Sequence, residues 1–121
     1  MLDLRDVMKK DRFAVVGNTL APEKYAYKIK EELLAAGYTV HGVGYELETL
    51  DQVPGELEVV DLCIRPERGL ALLHACRKPI GCVVIQPGAG SDEIRELLTR
   101  RGIPFLDGCL LVGLRLYPRE A

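Results

Sequence analysis

Short apolar runs alternate with segments of helical periodicity along this chain, and that alternation constrains the fold more than any other feature. Apolar residues at Ala26, Ile29, Leu33 and Ala36 are spaced as on one face of a helix. Alternating strands and helices are typical of an α/β fold whose sheet is mainly parallel, because parallel neighbours need crossover connections. The runs with strand character are residues 12–16, 38–43, 58–64, 81–85 and 103–106.

The whole chain, residues 1–121, is predicted to form a single Rossmann-like domain. We expect a doubly wound three-layer sandwich with a mainly parallel five-stranded sheet of order 3-2-1-4-5. That order puts the topological switch point between the first and fourth strands, where ligands bind outside the carboxyl ends. The predicted helices are residues 3–10, 22–36, 66–78 and 92–101.

Composition excludes several classes of protein. The chain is 48% hydrophobic and 28% charged, which is ordinary for a globular domain, and its net charge of −2 gives no overall attraction to nucleic acid or anionic membranes. The amino-terminal residues lack the apolar segment of a signal peptide, so we expect a cytoplasmic protein. The four cysteines show no Cys-x-x-Cys spacing and the two histidines are isolated, so no metal site is expected.

The segment from Phe13 to Tyr25 reads as a buried strand, a glycine turn and the start of a helix. A helix N-terminus offers free N–H groups and a favourable dipole to an anion, and Gly17 lets the backbone approach a phosphate closely. Asn18 and Thr19 can form hydrogen bonds with phosphate oxygens or simply cap the helix, and the sequence leaves both roles open.

Two further loops are expected at the same edge of the sheet. Arg65 follows the third strand, where it could bind a phosphate, stack on a base or pair with a nearby carboxylate. Gln86 follows the fourth strand with a donor and an acceptor, and Gly88 and Gly90 after it allow close approach or a flexible turn.

The usual nucleotide fingerprints are missing. Neither the NAD fingerprint Gly-x-Gly-x-x-Gly nor the Walker pattern Gly-x-x-x-x-Gly-Lys-Ser/Thr occurs. The second strand ends at Val43-Gly44-Tyr45 without a carboxylate. These absences weigh against NAD binding and against ATP or GTP hydrolysis.

Four segments together resemble the small stand-alone CoA-binding domain proteins, which are Rossmann-like and similar to the CoA-binding domain of the succinyl-CoA synthetase α subunit. The resemblance covers nearly the whole chain. The chain departs from the family's common form at His41-Gly-Val-Gly44 and at Gln86-Pro-Gly88. The segments that carry the resemblance are residues 16–25, 33–40, 61–67 and 86–91.

The resemblance implies coenzyme A, or an acyl-CoA, as the cofactor. It places the pyrophosphate on the turn after the first strand, the adenosine near the ends of the second and third strands, and the pantetheine arm along the loop after the fourth. The residues it assigns are Gly17, Asn18, Thr19, Lys24 and Tyr25 for the pyrophosphate, Val43, Arg65 and Pro66 for the adenosine, and Gln86, Pro87 and Gly88 for the pantetheine.

A catalytic constellation is not visible in the sequence, so we expect a non-catalytic binding module, a sensor or a carrier of CoA. The alternatives are an NAD(P)-binding redox or sensor domain and an interaction module with a vestigial crevice. Cys109 could form a mixed disulfide with the CoA thiol or be a packing residue. The apolar segment from Leu110 to Tyr117 could cover the sheet or form a homodimer contact.

Overall fold

The computed structural model describes residues 1–119. Strands and helices alternate as the sequence pattern predicts, and a short 3₁₀ helix, Leu50–Gln52, lies in the connection between the second and third strands. The strands are β1 (Arg12–Gly17), β2 (Thr39–Gly44), β3 (Leu57–Leu62), β4 (Ile80–Ile85) and β5 (Phe105–Asp107). The helices are α1 (Leu4–Met8), α2 (Tyr25–Ala35), α3 (Pro66–Ala75), α4 (Asp92–Arg100) and α5 (Leu110–Leu116).

The five strands form one parallel sheet, which confirms the predicted α/β fold, but their order is 2-1-3-4-5 and not 3-2-1-4-5. The difference arises in the connection after β2. Leu50 and Val53 of this connection are buried in the same core cluster as Leu73 of α3, so the connection crosses the sheet on the face opposite α2. A right-handed crossover on that face brings β3 back beside β1.

Two apolar clusters cover the two faces of the sheet. We name the face under α1, α2 and α5 the first face, and the face under the 3₁₀ helix, α3 and α4 the second face. Alternation along each strand assigns its residues to one face or the other. In β3, Val59 packs on the first face and Val60 and Leu62 pack on the second.

The helix boundaries follow capping chemistry, with one correction. The hydroxyl of Ser91 accepts the N–H of Ile94 at 3.2 Å, as predicted for an N-cap. The first long helix begins at Tyr25 and not at Pro22. The reason is a turn in which Asn18 Oδ1 accepts the N–H groups of Leu20 and Ala21, both at 3.2 Å, which keeps the following residues out of the helix.

The apolar C-terminal segment forms α5 and covers the first face. Leu110 is fully buried there, and Leu114 packs against the same cluster. Beyond the helix, Arg119 donates to Asp11 Oδ1 at 3.0 Å and lies 4.4 Å from the ring centroid of Tyr38. This arrangement fits the sheet-covering role that the sequence left open. Within residues 1–119, no helix has the length and apolarity that a membrane span requires.

The connection after β2 supplies a stability test. We expect Leu50→Ala to lower the free energy of unfolding by about 2–5 kcal/mol, because it empties a fully buried site beneath the 3₁₀ helix. Urea unfolding measures the change. The matched control is Leu34→Ala on α2, where the leucine is 44% exposed. Equal losses for the two variants would contradict the assigned packing of the connection.

Candidate functional site

A cleft of about 390 Å³ lies at the carboxyl ends of β1 and β3, and we name it the switch-point cleft. The observed order puts the topological switch point between these two strands, not between the first and fourth strands as expected. From this point the chain enters α2 on the first face and α3 on the second. The residues that line the switch-point cleft are Asn18, Lys24, Tyr25, Ala26, Tyr45, Cys63, Ile64, Arg65 and Arg68.

Two helices begin at this cleft. Lys24 is the N-cap of α2 and Arg65 is the N-cap of α3, with Pro66 in the first turn. In the described part of the chain neither helix has a side chain capping its first N–H groups. Both helix dipoles therefore add positive potential where the backbone donors are free.

The charged side chains lining the cleft are all cations, namely Lys24, Arg65 and Arg68. Arg68 is fixed, since it donates to the carbonyl of Gly44 at 3.2 Å and its guanidinium lies 4.9 Å from the ring centroid of Tyr45. Arg65 is 3.8 Å from Glu67, but both side chains are more than 70% exposed, so this pair is weak and leaves Arg65 able to bind an anion.

Gly17 has a packing role. A Cβ at this position would collide with the carbonyl oxygen of Cys63 and lie 2.8 Å from Cβ of Ala26. The missing side chain thus allows β1, the end of β3 and α2 to approach closely. A larger residue at Gly17 would disturb this packing as well as any ligand above it.

Thr19 is buried beneath the loop and does not line the cleft. Its hydroxyl donates to Glu46 at 2.5 Å, and Lys30 donates to both oxygens of the same carboxylate at 2.7 and 2.9 Å. Burial raises the pKa of Glu46, but the hydrogen bonds from Lys30 and Thr19 outweigh it and leave the pKa below its ordinary value. The Thr19 hydroxyl therefore anchors the loop to the end of β2.

Val43 is also withdrawn from the surface. It is fully buried in the cluster on the second face, so its side chain is not available to a ligand. Tyr45, two residues later, is 47% exposed and lines the switch-point cleft with Arg68. The sequence reasoning missed both Tyr45 and Arg68. Two sequence features could have identified them: an aromatic residue just after a strand, and an arginine one turn into a helix that starts at the cleft.

A second cleft, of about 410 Å³, lies at the carboxyl ends of β4 and β5, and we name it the β4 cleft. Gln86, Pro87 and Gly88 line it, and Gly88 has a positive φ of 85° that only glycine adopts easily. Arg95 and Asp107 form an ion pair at 2.7 Å on its wall. The sequence-predicted residues thus divide between two clefts along one edge of the sheet.

Gln86 is 5% exposed, and its side chain has a structural partner. Its Oε1 accepts the N–H of Leu110 at 2.9 Å, which fixes the start of α5 above the end of β4. Its backbone N–H donates to the carbonyl of Leu62 at 3.0 Å. Gln86 therefore connects the start of α5 to the end of β3 at the edge between the two clefts.

Asp61, one residue before the carboxyl end of β3, is the most unusual polar residue of the sheet. Its side chain is fully buried, and neither carboxylate oxygen has a hydrogen-bond partner in the described residues. Its neighbours in register are Val15 and Val84. Burial raises the pKa of Asp61 well above its ordinary value, so the carboxyl stays protonated where an exposed one would ionise.

Two partly exposed cysteines belong to the same edge. Cys63 follows β3 and lines the switch-point cleft, and Cys109 is the N-cap of α5. Burial raises the pKa of Cys63 to about 12. Cys76 and Cys82 are buried, and none of the four cysteines is in a disulfide.

A larger depression of about 590 Å³ lies at the opposite, amino edge of the sheet, between residues such as Lys10, Glu58 and Lys78. The strands of a parallel sheet bring their loops for ligand binding to the carboxyl edge, so this depression is not the candidate site. No group of three or more histidine, cysteine, aspartate or glutamate side chains suited to a metal ion occurs in residues 1–119.

Comparison with known proteins gives a family and a fold. The family model described as CoA binding domain matches residues 11–115. No curated protein matches the chain in sequence. A conserved hypothetical protein from Pyrococcus furiosus is 28% identical with a TM-score of 0.77, and the alignment covers 85% of this chain and 98% of that one.

Two other solved structures share the fold at lower identity. A hypothetical protein from Pyrococcus horikoshii is 23% identical with a TM-score of 0.86, over 94% of this chain and 89% of that one. Prb, a protein redesigned for binding, is 21% identical with a TM-score of 0.86, over 98% of this chain and 92% of that one.

Asp61 supplies a prediction about pH. Above about pH 4 the unfolded chain loses this proton while the folded protein keeps it, so unfolding releases a proton and stability falls by about 1.4 kcal/mol per pH unit. This contribution is complete below about pH 4 and is lost as the pH rises to the folded-state pKa. Asp61→Asn removes the titration, so the variant should gain stability over the wild type as the pH rises.

Urea unfolding at pH 5 and pH 8 measures this difference. Asp92→Asn, which changes an exposed carboxylate in the first turn of α4, is the control and should leave the pH dependence nearly unchanged. If Asp61→Asn keeps the pH dependence of the wild type, the carboxyl is not protonated in the fold.

Proposed function

The chain belongs to the CoA-binding domain family, and from that premise we propose that it binds coenzyme A or an acyl-CoA at the carboxyl edge of its sheet. The pyrophosphate binds in the switch-point cleft. The single observation that carries this assignment is the meeting of two uncapped helix N-termini with Lys24, Arg65 and Arg68 in one cleft.

An anionic ligand fits this cleft better than a neutral ligand would. A pyrophosphate accepts hydrogen bonds from backbone N–H groups and from cations, and each charge-assisted bond is stronger than a neutral one. The first-turn N–H groups of α2 supply the backbone donors, while Lys24 and Arg65 are exposed and can move to meet the phosphates. Asn18 and Tyr25 complete the wall on the β1 side.

The remaining parts of the cofactor follow from the two clefts. The adenine stacks at Tyr45 and Arg68, which take the place assigned to Val43, because an aromatic ring and a guanidinium offer flat surfaces to a base. The pantetheine arm runs from the switch-point cleft toward Gln86, Pro87 and Gly88 in the β4 cleft.

We assign the protein a non-catalytic role as a sensor or carrier of CoA. Two carboxylates along the edge are already held in ion pairs, Asp107 by Arg95 and Glu46 by Lys30. The four free cysteines fit the reducing cytoplasm, which is the location we propose.

An NAD(P)-binding domain is the less favoured alternative. Such a domain uses a carboxylate at the end of the second strand to bind the ribose diol. The carboxylate nearest to this position is Glu46, and hydrogen bonds from Thr19 and Lys30 already occupy it. Binding of NAD would have to break this ion pair.

Ligand-induced stabilisation tests the proposal. With CoA at 100 times its Kd, the wild type should gain roughly 2.7 kcal/mol, and NAD or NADP should give no gain at the same concentrations. Lys24→Ala and Arg65→Ala should each weaken CoA binding by roughly tenfold to a hundredfold, the value of a charged hydrogen bond. Calorimetric titration and thermal shift measure both effects.

Lys28→Ala is the matched control, because Lys28 is an exposed lysine one turn further along α2 and does not line the cleft. Its affinity for CoA should equal that of the wild type. Equal loss in Lys24→Ala and Lys28→Ala would mean that only net charge matters, and no loss in either cleft variant would reject the pyrophosphate site.

A homodimer contact through the C-terminal segment stays a prediction. The leucine of α5 that remains available is Leu116, which is 58% exposed. If this surface forms a dimer, light scattering at micromolar concentration will give twice the monomer mass, and Leu116→Lys will return it to the monomer. A wild-type monomer would leave sheet covering as the role of α5.

A further inference from the structure

We propose that Cys63 and Cys109 form a dithiol that undergoes thiol–disulfide exchange with the disulfide of coenzyme A. The inference rests on the proposed function, since the bound pantetheine must bring its sulfur to this edge. It adds a covalent step to a site that otherwise only binds.

The register of the sheet places Cys63 beside Gln86. Asp61 pairs with Val84 in the β3–β4 ladder, and two residues later the same register brings Cys63 next to Gln86. The N–H of Gln86 donates to the carbonyl of Leu62 at 3.0 Å, which confirms that the pairing continues past the strand ends. Neighbouring strands are about 4.8 Å apart, so the side chains of Cys63 and Gln86 are adjacent on the first face.

Gln86 also holds Cys109 near this position. Its Oε1 accepts the N–H of Leu110 at 2.9 Å, so the peptide that follows Cys109 lies at the tip of the Gln86 side chain. One glutamine thus contacts the chain next to each cysteine. Cys63 lines the switch-point cleft, and Gly108, the residue before Cys109, lines the β4 cleft. The two cysteines therefore flank the place where the clefts meet, on the path proposed for the pantetheine arm.

Asp61 is the second, independent observation at this junction. It lies two residues before Cys63 on the same face of β3, it is fully buried, and both its oxygens lack partners in the described chain. Its protonated carboxyl is a hydrogen-bond donor without an acceptor. A thiolate that forms on Cys63 would be an acceptor in the same space.

The different surroundings of the two cysteines assign their roles. Burial raises the pKa of Cys63 to about 12, so its thiol is protonated at neutral pH and reacts slowly. Cys109 is partly exposed at the start of α5 and is the attacking thiol. The mixed disulfide is therefore the long-lived state and Cys63 resolves it slowly.

The chemistry balances with CoA disulfide as the oxidant. The Cys109 thiolate attacks one sulfur of CoA disulfide, a Cys109–CoA disulfide forms, and one CoA thiol leaves with the proton lost by Cys109. The Cys63 thiolate then attacks Cys109, an internal disulfide forms, and the second CoA thiol leaves with the proton of Cys63. Two protein thiols are oxidised and one small disulfide is reduced.

Intact-mass measurement on the full chain with CoA disulfide tests the proposal. The wild type should first gain the mass of one CoA less two hydrogen atoms at Cys109, then convert to protein lighter by two hydrogens. Cys109→Ser should form no adduct, and Cys63→Ser should form the adduct and keep it. Cys76→Ser, a change at a buried cysteine far from this edge, should behave as the wild type.

Four results would overturn the proposal: an adduct on Cys76 or Cys82, loss of the adduct at the same rate in wild type and Cys63→Ser, equal reaction with glutathione disulfide, or no adduct. Thermal shift with reduced CoA, in the presence of a reductant, separates the two proposals. If CoA stabilises the wild type but no adduct forms, the binding proposal stands and the dithiol proposal is wrong. If the wild type is neither stabilised by CoA nor modified by CoA disulfide, both proposals are wrong.

Discussion

The side of the sheet on which the chain leaves β2 determines the rest of this molecule. Leu50 and Val53 pack on the second face, so the right-handed crossover brings β3 beside β1 and creates a switch point between them. The helices that follow these two strands then start on opposite faces of the same gap. Had the connection packed on the first face, α2 and α3 would begin at different places, and their N-termini would not share a cleft.

The carboxyl edge has two chemically different parts, and each is stabilised in its own way. The switch-point cleft presents cations and free backbone donors to solvent, while the first face beneath it holds Asp61 and Gln86 with almost no exposure. Gln86 satisfies its acceptor through α5, whereas Asp61 has no such partner in the described residues. Burial of a polar group without a partner lowers stability, so a functional use of Asp61 would account for its presence there.

The fold class, the five strands and four of the five helices within residues 1–119 could be predicted, because apolar periodicity and cap residues such as Ser91 act locally. That the apolar segment after Cys109 forms α5 was not predicted. The strand order could not, since it depends on which face a short connection covers. At the candidate site, Lys24 was predictable from its place near the start of the first long helix, and Arg65 from its place after the third strand. The burial of Val43 and Thr19 and the alternative surface at Tyr45 were not, because they depend on packing between distant elements. The residues of the site remain predictions that the proposed variants test.

Arg119 and α5 close the first face over the amino-terminal segment, through a contact that spans 108 positions of sequence. Segments near a chain terminus are among the first parts of a fold to open locally. Because α5 begins at Cys109 and is anchored through Gln86, its local detachment would uncover the buried carboxyl and both thiols without unfolding the sheet. Hydrogen exchange in the last helix therefore reports how often the interior of this edge meets solvent.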